Sequence, residues 1–141
     1  CIRDRYIGDD MTLIIGAILG FISVAFGTYA EHGLKSQISA EHFDFVMTAV
    51  RYNQAYAIVI SGIGIALLSS KSLARSLSLK LSNLFFIVGT ILFSFSIYIS
   101  VVYNIPIILK LAPLGGTALM IGWLMLILAA IFLKKNLKRS L

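Results

Sequence analysis

Residues 48–60 read TAVRYNQAYAIVI, a stretch in which an arginine and two amides precede a strongly apolar segment. The apolar run from Ala55 to Leu68 has only 14 residues, which as a helix is about 21 Å at about 1.5 Å per residue. A hydrocarbon core is about 30 Å thick. A helix that crosses it must therefore extend back past Arg51, and this places Arg51 about one turn inside the membrane boundary, where its side chain can reach the headgroups.

The whole chain has the composition of an integral membrane protein. Its 141 residues are 59% hydrophobic and 13% charged, with a mean hydropathy of +0.94, whereas soluble domains are roughly half apolar and about a quarter charged. The apolar runs do not alternate, which excludes a transmembrane barrel and leaves helices that satisfy their own backbone groups. The net charge of +6 comes from short basic segments beside apolar runs, so we predict no nucleic-acid partner.

The apolar runs divide the chain into four predicted spans, at about 20 residues per span. We predict an all-α membrane protein, a four-transmembrane-helix bundle in which residues 11–133 form the membrane domain, with spans at about 11–30, 43–69, 81–103 and 113–133. Residues 1–10 differ in character from the rest and precede the first methionine, so we interpret them as a non-native or disordered extension. Residues 134–141 form a basic cytoplasmic tail. An acylated Cys1 is the alternative for the N-terminus, and it is disfavoured because four spans already anchor the chain.

The distribution of lysine and arginine predicts the orientation of the bundle. One side of the four-span arrangement carries seven basic residues, namely Lys71, Arg75, Lys80, Lys134, Lys135, Lys138 and Arg139. On the other side, three basic residues are balanced by three acidic ones: Lys35, Arg51, Lys110, Glu31, Glu41 and Asp44. Because short loops rich in lysine and arginine stay in the cytoplasm, we predict that both termini are cytoplasmic (N-in/C-in).

Small residues recur on one face of the first and fourth spans, and they predict close helix packing. The predicted packing residues are Gly16, Gly20, Ser23, Gly27, Gly115, Gly116, Gly122 and Trp123. Packing within one bundle is the favoured interpretation, and a dimer face is the alternative. Trp123 falls near mid-membrane, where its indole N–H needs an acceptor, and we expect a hydroxyl or carbonyl group of the third span to supply it.

A polar cluster is predicted at the outer end of the bundle, because the first span ends, the second begins and the third ends there. Its members are His32, Arg51, Tyr52, Asn53 and Tyr98. Arg51 has two interpretations: it marks the membrane boundary, or it faces the bundle interior with Glu31 or Asp44 as acceptor. His32 and His42 do not have the spacing of a metal site, so we predict a solvated loop there and no metal ligands.

Four stretches in order carry a family resemblance: AFGTYAEHGLK (25–35), RYNQAY (51–56), GTILFSFSIY (89–98) and APLGGTALMIGW (112–123). Together they resemble the YgdD-like small inner-membrane proteins of the domain-of-unknown-function 423 family. The resemblance implies a multi-pass protein of the bacterial inner membrane and no specific activity. This chain departs from the pattern of the family it resembles at two positions of the second span. The family commonly has glutamine after the tyrosine and histidine three residues further on, where this chain has Asn53 and Tyr56.

The sequence shows no catalytic, cofactor or metal constellation, so we do not expect an enzyme. The predicted function is that of an uncharacterised small integral membrane protein that serves as an accessory or structural component of the bilayer. Its predicted partners are the lipid bilayer and either a second copy or another membrane protein. The alternative is a small homodimeric transporter or proton-linked channel, whose polar track would run along the third span through Thr90, Ser94, Ser96 and Ser100.

Overall fold

The computed structural model describes the backbone of residues 2–141 and the side chains of residues 8–141, and this part of the chain is helical with short connections. Its elements are α1 (Ile2–Tyr29) with a π-helical turn (Ala30–Leu34), α2 (Ala40–Ser69), α3 (Lys71–Ala74), α4 (Leu77–Thr90) with a second π-helical turn (Ile91–Phe95), α5 (Ser96–Val102), a 3-10 segment (Pro106–Leu111) and α6 (Ala112–Ser140).

Four of the helical stretches are long and apolar enough to cross a membrane, which confirms the predicted all-α fold with four spans. They are Gly8–Leu34, Ala40–Ser69, Leu77–Val102 and Pro106–Ser140. The third is composite, since α4, the second π-helical turn and α5 succeed one another in it. We call the end with residues 35–39 and 103–105 the loop end of the bundle, and the end with residues 70–76 the termini end.

The helix of the first span starts before the predicted boundary at Met11. The backbone is already helical at Ile2, and Asp9 is 6% exposed with its carboxylate 3.8 Å from Nζ of Lys80. The side chains of residues 1–7 lie outside the described part of the chain. The interpretation of residues 1–10 as a non-native or disordered extension stays a prediction for that part, while Asp9 belongs to the packed bundle.

The four spans pack mainly as two pairs, α1 with α2 and α4 with α6, and the third span also contacts α2. Glycine permits the close approach in both pairs. A Cβ on Gly64 of α2 would lie 2.8 Å from the backbone nitrogen of Leu13, and one on Gly115 would lie 2.8 Å from the carbonyl oxygen of Gly89. The backbones are therefore close enough to exclude any side chain at these positions.

The predicted packing residues differ in what they contact. Gly16, Gly20 and Gly27 face Ser61, Ala57 and Val50 of α2, and Ser23 between them is 1% exposed. In the fourth span Gly115 and Gly122 face the third span, at Phe93 and Phe86. Gly116 differs, because no heavy atom lies within 4 Å of a Cβ built on it. The stripes thus serve packing within the chain, except at Gly116.

The third span ends in a turn that redirects the chain across the loop end. Asn104 has a φ of 52°, in the left-handed region that asparagine tolerates better than most residues. The amide of Ile105 then donates to the carbonyl of Ser100 at 3.0 Å, which satisfies a carbonyl at the helix end. The 3-10 segment comes next, and its position shapes the surface between α2 and α6.

Gly115 and Gly116 provide a matched pair that tests the close contact of the third and fourth spans. Gly115→Ala places a methyl group against the backbone of Gly89 and Phe93, which cannot move independently of their helix. We expect a loss of about 1–3 kcal/mol in the free energy of unfolding. Gly116→Ala meets open space and should be neutral or slightly stabilising. Unfolding in mixed detergent micelles, followed by circular dichroism, measures both; equal effects would contradict the described packing.

Candidate functional site

A buried hydrogen bond links the second and third spans in the half of the bundle near the loop end. Asn53 is fully buried, and its Nδ2 donates to the Tyr98 hydroxyl at 3.2 Å. The Tyr98 ring stacks on Phe26 of α1, with ring centroids 3.9 Å apart. Within the described residues, Oδ1 of Asn53 has no hydrogen-bond partner. This contact joins three helices and leaves one polar atom of the amide unused.

The second π-helical turn places a serine beside this contact. Ser94 is fully buried and its Oγ donates to the carbonyl of Ala49 on α2 at 2.9 Å. Ala49 lies one helical turn before Asn53, so Ser94 and Tyr98 hold two successive turns of α2. Single π-helical turns of this kind are frequent at functional sites. Here the turn lies where the third span makes polar contacts with the second.

A second polar contact involves the aromatic residues nearer mid-membrane. The indole Nε1 of Trp123 donates to the Tyr56 hydroxyl at 2.8 Å, and the Phe86 ring lies edge-on to Trp123 with centroids 5.2 Å apart. The prediction that the third span supplies the acceptor for the indole N–H is wrong, because Tyr56 belongs to α2. The third-span hydroxyls in this region have other partners: Ser82 donates to the Gly122 carbonyl and Thr90 to the Phe86 carbonyl.

A third polar group lies near the termini end, and the sequence did not predict it. Nδ2 of Asn83 donates to Oγ1 of Thr12 at 3.1 Å, and Asp9 lies within 3.8 Å of Lys80 one turn away on each helix. Asn83 is 6% exposed, and its Oδ1 has no partner among the described residues. In the sequence, the feature that could indicate this polar group is an asparagine inside the third span. Asp9 gives no such indication, because the predicted span begins only at residue 11.

The predicted outer cluster is only partly assembled. Asn53 and Tyr98 are bonded, while Tyr52 is 43% exposed and packs on Phe93 with ring centroids 4.6 Å apart. Arg51 and His32 are exposed. Among the described side chains no carboxylate lies within 4.0 Å of Arg51, and Glu31 instead pairs with Lys35 at 3.1 Å. The exposed Arg51 side chain is the arrangement that the boundary interpretation predicts, and that interpretation stays a prediction.

The chemistry available in the bundle interior is hydrogen bonding between helices. In the described part of the chain, no three His, Cys, Asp or Glu side chains come together as metal ligands do. The buried asparagine, serine and tyrosine groups bond to one another or to backbone carbonyls, and such bonds contribute about 0.6–2 kcal/mol each in membrane proteins. The site is therefore a set of interhelical contacts centred on α2 and the third span.

The bond between Tyr56 and Trp123 can be tested through the single tryptophan of the chain. Tyr56→Phe keeps the ring but leaves the indole N–H without its acceptor, so we expect the free energy of unfolding to fall by about 1 kcal/mol. Trp123 fluorescence should also shift, because the indole loses a polar neighbour. Tyr103→Phe is the matched control, since Tyr103 is 70% exposed. An unchanged spectrum and stability in Tyr56→Phe would contradict this contact.

Comparison with known proteins gives consistent matches along most of the chain. The family described as "Protein of unknown function (DUF423)" matches residues 26–116. The UPF0382 inner membrane protein YgdD of Escherichia coli K12 is 30% identical over 126 residues, which cover 88% of this chain and 92% of that protein. The UPF0382 membrane protein YwdK of Bacillus subtilis is 31% identical over 119 residues, covering 84% of this chain and 94% of that protein.

A third relative, a UPF0382 membrane protein of Haemophilus influenzae, is 31% identical over 114 residues, or 81% of this chain and 88% of its own length. No solved structure matches. The four apolar helices and these relatives confirm the predicted location, a multi-pass protein of the bacterial inner membrane. The matched region runs from the end of the first span to the start of the fourth and contains the polar contacts of α2 with the third span. Because this match and these relatives cover most of the chain, the chain belongs to the DUF423 family of integral membrane proteins.

Proposed function

We propose that this protein is a non-enzymatic component of the membrane and acts through the outer surface of its helix bundle, as an accessory or structural element. The observation that supports this proposal is the use of the interior polar groups. Five side-chain hydrogen bonds join one helix to another, in the pairs Asn53–Tyr98, Trp123–Tyr56, Asn83–Thr12, Ser94–Ala49 and Ser82–Gly122. The side chains that make these bonds are buried, except that of Trp123, which is 45% exposed. Because these groups are already bonded within the bundle, they are not free to bind another molecule. Contacts with other molecules are therefore expected at the outer surface of the bundle.

The proposed orientation has both termini and the α2–α4 connection in the cytoplasm. The charge distribution supports it, since seven basic residues lie at the termini end. In a Cys1→Ser background, Gln37→Cys should react with a membrane-impermeant maleimide in spheroplasts. Lys138→Cys should react only after the membrane is permeabilised. The reverse pattern would exclude this orientation.

The most suitable surface for a protein partner is the groove between α1 and α2. It has a volume of about 650 Å³ and its lining is mostly small or aliphatic, including Gly20, Ala57 and Gly62. Gln54 also lines it and is exposed, although it is the fifteenth of the 30 residues of α2. An amide at this depth meets hydrocarbon, where an unpaired polar group is costly.

The exposed Gln54 amide favours a second copy of the chain as the occupant of this groove. A glutamine side chain both donates and accepts hydrogen bonds, so two copies of Gln54 related by a twofold axis can bond to each other. A twofold interface requires such self-complementary groups. The small residues beside Gln54 permit the helices to approach: no heavy atom lies within 4 Å of a Cβ on Gly62. We therefore propose a homodimer formed through the α1–α2 groove.

Removal of the Gln54 amide should weaken this dimer. Gln54→Leu replaces the amide by an apolar side chain that cannot form the reciprocal bonds, so we expect dimerisation to weaken by about 1 kcal/mol. Energy transfer between donor- and acceptor-labelled chains in proteoliposomes, measured as lipid is diluted, reports the dimer. Gln37→Leu in the connecting loop is the control. A wild-type chain that shows no transfer above the level of random proximity would refute the homodimer.

The second candidate is the transporter or proton-linked channel, and one observation favours it. Thr90, Ser94, Ser96 and Ser100 are all at most 8% exposed, so these hydroxyls line the interior. Oδ1 of Asn53, which has no partner in the described part, adds an acceptor beside them. Two of the hydroxyls, however, donate to carbonyls of their own helix: Thr90 to Phe86 and Ser96 to Phe93. A continuous polar track would need them to rotate away.

Proton flux into liposomes distinguishes the two candidates. If the chain conducts protons, wild-type proteoliposomes should dissipate an imposed pH gradient faster than empty ones, and Asn53→Leu should abolish the difference because it removes the central acceptor. Thr117→Val, which alters an exposed hydroxyl of α6, is the control. Wild-type flux equal to that of empty liposomes would eliminate proton conduction and favour the first proposal.

A further inference from the structure

A groove open to the side of the bundle lies between α2 and the start of α6, and we call it the lateral groove. It has a volume of about 540 Å³, and its lining residues come from five elements, which are α2, the second π-helical turn, α5, the 3-10 segment and α6. They include Phe45, Thr48, Phe93, Ile97, Lys110 and Pro113. Phe45 at its edge is 41% exposed, and Pro113 on the opposite edge is exposed. A molecule could therefore enter from the membrane side.

The depth of the lateral groove matches the upper part of one leaflet. Its upper end is the 3-10 segment at the loop end, beyond Val102, where the third span stops. Phe93 lines its lower part, nine residues before Val102, which is about 13 Å along a helix at about 1.5 Å per residue. The groove thus extends from the loop end of the third span about 13 Å along that span.

The chemistry of the lining changes along this depth. Lys110 is the one charged side chain among the lining residues, and it is exposed at the upper end. Arg51 comes three residues after Thr48 on α2, so the two are neighbours on the helix surface. Asp44 is also a neighbour of Thr48, four residues before it, and neither Asp44 nor Arg51 lines the groove. Glu31 pairs with Lys35 elsewhere. A cation therefore stands above an apolar channel with no acidic residue in its walls.

We propose that the lateral groove binds one anionic phospholipid. An acyl chain lies against Phe93 and Ile97, and the phosphate group is held at the upper end by Lys110. The groove requires an occupant with an apolar part beside Phe93 and Ile97 and an anionic group beside Lys110. An anionic phospholipid in the leaflet at the loop end has both parts. Basic residues near a membrane surface attract anionic lipids by roughly 1 kcal/mol each. The site is separate from the α1–α2 groove and does not depend on the homodimer.

Native mass spectrometry of the full chain with defined lipids tests the charge part of the proposal. Phosphatidylglycerol and phosphatidylcholine with identical acyl chains are titrated into the detergent-solubilised protein. The wild type should bind the first phosphatidylglycerol molecule more tightly than phosphatidylcholine, and Lys110→Gln should weaken phosphatidylglycerol binding about fivefold with little effect on phosphatidylcholine. Lys35→Gln, at the same end but outside the groove, should change neither. Equal affinities of the wild type for the two lipids would overturn the proposal.

Photocrosslinking of the wild-type chain locates the lipid, and one groove-filling variant serves as the control. A phosphatidylglycerol with a diazirine in one acyl chain should label the peptide that contains Phe93 and Ile97 when irradiated in proteoliposomes. Thr48→Trp fills the groove and should remove this label, while circular dichroism verifies that the helices remain. Label found only on other surfaces, or intersubunit crosslinks that place a second copy in the groove, would show that the groove is not a lipid site.

Discussion

The absence of hydrogen-bonding solvent in the hydrocarbon is the constraint on which the arrangement of this bundle depends. Each polar side chain inside it must find a partner within the protein, and a partner on another helix is reached only if the backbones are close. Glycine provides that closeness: the Gly115–Gly89 contact brings the fourth span onto the third, and the same helices then share the bond from Ser82 to the carbonyl of Gly122. Close packing and polar pairing are therefore two results of one requirement.

The second π-helical turn gives the third span two distinct tasks. Before it, α4 packs against α6 through Phe86 and Gly89; after it, α5 contributes Tyr98 to α2. A regular helix keeps one face in a fixed direction, whereas an extra residue in one turn rotates the part of the helix beyond it. The turn at Ile91–Phe95 lies between the two contacts. Ser94 within it bonds to α2, which the third span contacts both before and after the turn.

The sequence was sufficient for the spans and for part of the packing, because hydropathy and the period of small residues are local properties. Trp123 shows where such reasoning stops. Its need for an acceptor could be predicted from its depth, but the identity of the acceptor depends on which helices are neighbours, and Tyr56 lies 67 residues away in the chain. Arg51 was ambiguous for the same reason: its depth can be obtained by counting residues, while its direction depends on which face of α2 the other helices cover. The contacts Asp9–Lys80 and Asn83–Thr12 each join two different helices, so the sequence does not predict them.

Asn53 and Asn83 show what these polar contacts contribute to the fold. Each amide is buried, donates one bond to a hydroxyl of another helix and has an oxygen without a partner among the described residues. An unpaired buried polar atom costs about 1–3 kcal/mol. An apolar residue of similar size would therefore give the bundle a higher free energy of unfolding. Buried polar residues are known to fix the register of neighbouring helices at such a cost. Asn53 aligns α2 with α5, and Asn83 aligns α4 with α1, so the composite third span is held in register with both members of the α1–α2 pair.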